Sequence, residues 1–115
     1  MSQAEVKGRV IAGAYVVAAA GELDMMTSPQ LERALSQAAD SGHTRVVVDL
    51  TRVRFLDSTA VTAIIASLRR LRLLDGTLTI VCRDESVRHL LTLLGLADAV
   101  GVHETIEAAV AALAS

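Results

Sequence analysis

The chain has 115 residues, a formal charge of −2 and one cysteine, and 52% of its residues are hydrophobic. That length suits a single domain spanning 1–115, able to bury roughly two-thirds of its unfolded surface. The mildly acidic balance, with Tyr15 and Phe55 as the only aromatics, argues against nucleic-acid binding by charge or base stacking, and lone Cys82 excludes an internal disulfide.

Residues Met1 to Val10 carry Glu5, Lys7 and Arg9, unlike a signal peptide. The uncharged run Ile11 to Gly21 is too short to insert in a membrane, so the expected setting is the cytoplasm. Val-rich segments Glu5 to Ile11 and Tyr15 to Ala20, separated by Ala12-Gly13-Ala14, predict an antiparallel hairpin. Gly21-Glu22-Leu23-Asp24 is expected to leave the sheet. Thr27 and Gln30 have capping-box spacing, with Pro29 suited to a first helical turn. Leu31, Ala34, Leu35, Ala38 and Ala39 recur at helical spacing until Gly42.

Arg45 to Leu50 is a continuous apolar run, the pattern of a strand buried on both faces, and Thr51 to Leu56 reads as the loop after it. The longest helix is expected from Ser58 to Leu74, with Val61, Ile64, Ile65, Leu68 and Leu71 as its inward stripe. Arg69, Arg70 and Arg72 lie outside that stripe and suggest a solvated face. A strand over Thr77 to Cys82 follows, with Cys82 as a small core side chain. Then come a helix from Asp84 to Leu94 ended by Gly95, an edge strand within Val100 to His103, and a helix carrying Ile106, Ala109, Val110 and Leu113. The fold class is α/β: a mixed sheet of four to five strands, opened by an antiparallel hairpin, with helices packed on it.

Conventional catalytic patterns do not emerge. His43, His89 and His103 fall in different elements, without metal-ligand spacing to Cys82, and no strand leads into a glycine-rich phosphate loop. Neither a cofactor nor an enzyme is expected. Asp49 reads as the end of a strand and Asp57 as a helix cap, which explains both carboxylates without a catalytic pair. The informative segment is Phe55-Leu56-Asp57-Ser58-Thr59-Ala60-Val61. It sets a carboxylate and two hydroxyls at the start of a long helix, directly after a buried strand, where α/β proteins tend to place their sites.

Over nearly its whole length the chain resembles a STAS domain, in particular a bacterial anti-sigma factor antagonist. The resemblance rests on Gly21-Glu22-Leu23-Asp24, the central strand Val46 to Leu50, Phe55-Leu56-Asp57-Ser58-Thr59, and the late Gly95-Leu96 turn. It implies a partner switch. The unmodified antagonist binds an anti-sigma factor that is also a serine kinase; phosphorylation releases it, and a phosphatase resets the cycle. Ser58 matches the phosphorylated serine, with Thr59 a weaker alternative, and Asp57 matches the aspartate before it. Asp24 matches a partner-binding position, and the implied binding surface also takes in Asp57, Ser58, Thr59, Ala60 and Thr62. Ala60 stands where the family usually has glycine, and its methyl group is expected to stand in the way of a close partner backbone. The alternative is a STAS scaffold subunit of a transport or signalling assembly, with no phosphorylation switch.

Overall fold

A computed structural model describes residues 3–114. Its elements run β1 (Ala4–Ile11), β2 (Ala14–Leu23), α1 (Ser28–Asp40), β3 (Arg45–Leu56), α2 (Ser58–Leu73), β4 (Thr77–Val81), α3 (Glu85–Leu93), α4 (Leu96–Ala99), β5 (Val102–His103) and α5 (Ile106–Leu113). The five strands lie side by side in the order of the chain, β1 antiparallel to β2 and the remaining neighbours parallel. The expected mixed sheet with an opening hairpin is therefore the observed one.

Each element follows from its residues. Ile11 pairs with Ala14, so the hairpin turn is the two residues Ala12 and Gly13, at φ 49° and 83°. Two successive left-handed residues form the turn whose twist matches that of paired strands. In β3, Val46, Val47, Val48 and Leu50 are buried, as a strand covered on both faces requires. Val46, Val48 and Leu50 face a core built with Leu31 and Leu35 of α1, Ile64, Leu68 and Leu71 of α2, and Leu91 of α3. Val47 faces the other way, with Val16 and Val81, against Ala109 and Leu113 of α5. The inward stripe of α2 holds for Val61, Ile64, Leu68 and Leu71, while Ile65 is half-buried.

Several expectations are corrected. Gly21 to Leu23 do not leave the sheet and Thr51 to Leu56 are not a loop. The ends of β2 and β3 continue together, Ala20 opposite Arg52 and Leu23 opposite Leu56. Register shifts between Ala18 and Ala20, and between Gly21 and Glu22, put extra residues in β3. Its buried positions there are Leu50, Val53 and Leu56, so the spacing is three and the alternation that marks a strand is lost. Gly21 is required: at φ 96°, a Cβ would stand 2.4 Å from the Gln3 carbonyl oxygen. Asp49 lies within β3 and does not end it; its carboxylate accepts from the Thr51 N–H at 3.0 Å and from the Thr51 hydroxyl. Cys82 is fully buried, as expected, but follows β4. The short α4, for which no separate helix was expected, follows the Gly95 turn.

Because the parallel strands succeed one another in one direction, α1, α2 and α3 all pack on the same face. The carboxyl ends of β2, β3 and β4 share one side of the sheet, and each is followed closely by the start of a helix, at Ser28, Ser58 and Glu85. No reversal of strand order opens a crevice at this edge, unlike the sheets that cradle nucleotides. The edge presents a surface.

Candidate functional site

The predicted residues meet where β3 gives way to α2. Asp57 has an extended backbone, and its Oδ1 accepts from the Thr59 N–H at 2.9 Å, one of the donors a helix start leaves unpaired. The Thr59 hydroxyl donates to the same oxygen. On the other side, Thr59 Oγ1 lies 3.0 Å from Ser28 Oγ, at the start of α1. A carboxylate oxygen can only accept, and a hydroxyl has one proton. Thr59 therefore donates to Asp57 and receives from Ser28. Its hydroxyl is occupied on both sides.

Ser58 is different. It is exposed, and its hydroxyl has no hydrogen-bond partner among the described residues. One turn on, Thr62 is also exposed and donates its hydroxyl to the Ser58 carbonyl at 2.8 Å. Ala60 is not on this surface. It is fully buried in the core shared by the sheet and α2, so it offers no side chain to a partner, and the expected obstruction by its methyl group is withdrawn. The helical turn carries Ser58 outward and Ala60 inward, two residues apart.

The loop from β2 to α1 is fastened beside this terminus. The Asp57 N–H donates to the Leu23 carbonyl at 3.0 Å. Asp24 Oδ1 accepts from the N–H groups of Met26 (2.9 Å) and Thr27 (3.1 Å), an arrangement by which Asp shapes tight turns. Thr27 does not form the expected capping box: its side chain caps no helical N–H, and its hydroxyl donates to the Glu22 carbonyl at 2.6 Å. Within the loop so held, Met25 and Met26 are 71% and 77% exposed. Phe55, Leu56, Val87, Leu90 and Leu93 line a shallow groove of about 250 Å³ between the end of β3 and α3, with Phe55 and Leu93 themselves exposed. A larger polar hollow of about 630 Å³, lined by Glu5, Thr51, Arg52, Arg54 and Asp84, includes none of Asp57, Ser58 or Thr59.

Two titrating groups lie at the same sheet edge. Hydrogen bonds from the Ser86 hydroxyl and the Val87 and Ser86 N–H groups hold the Asp84 carboxyl below its usual range. Burial pushes the Cys82 thiol up. Two of the three arginines singled out on α2 do more than form a solvated face, while Arg69 is exposed as expected. Arg70 reaches the Ser36 carbonyl and the Asp40 carboxylate of α1, and Arg72 the Ala99 carbonyl. Ser28 is the site residue that sequence reasoning missed. A buried serine beside the Thr27-Ser28-Pro29 helix start looks like part of the cap until its partner, 31 residues away, is brought to it.

Comparisons with known proteins agree with this fold. The family model described as STAS domain matches residues 3–109. An anti-sigma-B factor antagonist of Staphylococcus epidermidis is 34% identical over 93 residues, covering 81% of this chain and 86% of that protein. The crystal structure of an anti-sigma factor antagonist from Mycobacterium paratuberculosis superposes with a TM-score of 0.91 at 26% identity, covering 98% of this chain and 96% of that one. SpoIIAA, an anti-sigma factor antagonist and Bacillus cell fate determinant, shares the fold at 21% identity. Its unphosphorylated form has a TM-score of 0.81 and its phosphorylated form 0.72, covering 96% and 94% of this chain and 96% and 98% of that one.

Proposed function

The chain belongs to the STAS domain family, and from that premise we propose that it is an anti-sigma factor antagonist, cytoplasmic and non-enzymatic, that switches partners through phosphorylation of Ser58. The observation that carries the reading is the pair of neighbouring hydroxyls in opposite states: Thr59 held by Asp57 and Ser28, Ser58 exposed and without a partner for its hydroxyl among the described residues. A kinase can reach and turn the Ser58 hydroxyl without breaking a bond in the domain. The relatives' names, and the existence of SpoIIAA in both phosphorylation states, support the same assignment.

Unmodified, the chain docks on an anti-sigma factor that doubles as a serine kinase. Asp24, Asp57, Ser58, Thr59 and Thr62 form the polar part of the contact, and Met25 and Met26 supply apolar area beside it. Phosphorylation adds about −1.5 to −2 charges at Ser58. The positive end of the α2 dipole tolerates that charge, so the domain stays folded and the effect falls on the partner through bulk, desolvation and repulsion. A loss of about 3–4 kcal/mol weakens binding a few hundredfold. A phosphatase restores the binding form.

The test is mass spectrometry after incubation with the kinase-type anti-sigma factor and ATP. Phosphate mapped to Ser58, with Ser58→Ala bound persistently and Ser58→Asp released, is the expected result. No added mass, or Ser58→Asp binding as tightly as the unmodified chain, would sink the switch and favour a scaffold of the same fold.

A further inference from the structure

The directional chain of hydrogen bonds from Ser28 to Thr59 to Asp57 crosses between elements that the sequence keeps apart. Ser28 is 4% exposed, and its own N–H is already used on the Asp24 carbonyl at 2.8 Å. Its hydroxyl closes the circuit at the start of α1, with the Met25–Met26 loop immediately before it. At the far ends of the two helices Arg70 makes the matching ties to Ser36 and Asp40. The helices are thus pinned at both ends. At the first end the pin is a chain of hydroxyls ending on the cap that sets up Ser58.

We propose that Ser28 is a positioning residue for the switch: through Thr59 it holds the Asp57 cap and the Asp24–Thr27 loop in one fixed relation, so that Ser58 and Met25–Met26 present a single docking surface. The functional weight of this role rests on reading Ser58 as the modified hydroxyl; the hydrogen-bond chain itself does not. Removing the Ser28 hydroxyl takes away the only proton that Thr59 Oγ1 receives from a side chain among the described residues. Thr59 then keeps only its bond to Asp57, and the tie from the Asp57 cap to α1 is lost. A single net hydrogen bond corresponds to roughly a fivefold change in a local opening equilibrium.

Amide hydrogen exchange on the isolated chain decides it, read at Thr59, Met26 and Thr27. Ser28→Ala should speed exchange there by about fivefold, and Thr59→Val, which also loses the bond to Asp57, by at least as much. The double variant should be no faster than Thr59→Val alone, because that change already removes the contact with Ser28. Thr59→Ser, which keeps the hydroxyl, should exchange like the parent chain; a role in packing alone would not be rescued this way. Multiplying effects in the double variant, or unchanged exchange in Ser28→Ala, would overturn the proposal. No partner is needed for the measurement. Failure here leaves the Ser58 reading standing, and absence of phosphorylation leaves the hydrogen-bond chain standing.

Discussion

Ala60 shows how one residue's meaning changes once its direction is known. In the sequence it is a departure from the glycine that the family pattern carries, next to the serine of interest. In the fold its methyl group is fully buried against the core. Ala60→Gly therefore removes a packed methyl and adds backbone freedom within a helix, together about 1–2 kcal/mol of stability. Urea unfolding should show that loss, while the proposed phosphorylation of Ser58 proceeds at the parent chain's rate. Asp57 belongs to the same scale. Asp57→Ala should lower stability by about 1 kcal/mol by uncapping α2, measured in the same way. The position of Ser58 on the first turn of α2 was legible because the aspartate before it marks the cap. Ser28 was not, because a hydroxyl's partner is a fact of tertiary structure.

At the scale of elements, the hairpin, the buried part of β3 and the long helix α2 were all readable, since each has a clear period or a clear stop. The shared extension of β2 and β3 was not. Bulges spread the buried positions of β3 to Leu50, Val53 and Leu56, and an unbroken run of alternation is the signal by which strands are recognised. The hairpin turn carries a testable imperfection. Ala12 sits at φ 49°, a conformation that strains a residue with a Cβ, and asparagine tolerates it better. Ala12→Asn should raise stability by about 0.5–1 kcal/mol in thermal or urea unfolding. The start of α3 has its own pH response. Asp84 titrates below its usual range in the folded chain, so its contribution is complete above the ordinary carboxylate range and is lost as pH falls through the lowered value. Acid titration followed by exchange of the Ser86 and Val87 amides should show α3 loosening in that window, and Asp84→Asn should flatten the response.

The whole molecule is organised by the one-directional order of its sheet, which gathers three helix starts at one edge and leaves that edge a surface. The proposed docking uses that edge: the Met25–Met26 loop, the exposed Ser58 hydroxyl and the Phe55–Leu93 groove all lie on it or beside it. Cys82 gives a probe of global integrity. It is fully buried and burial raises its thiol, so it should react with a disulfide reagent at a rate set by opening of the fold. Partial denaturation should accelerate the reaction in step with the loss of structure; prompt reaction in the native state would contradict the packing described here. Hydrophobic period, glycine stops and a carboxylate before two hydroxyls are local properties, and by themselves they determined the α/β class, the order of the elements other than α4, and the place of Asp57, Ser58 and Thr59. Tertiary structure alone decided that Ala60 points inward, that β2 and β3 run on together, and that Ser28 holds Thr59. Each of these depends on contacts between segments far apart in the chain, and no local pattern encodes which distant group will arrive.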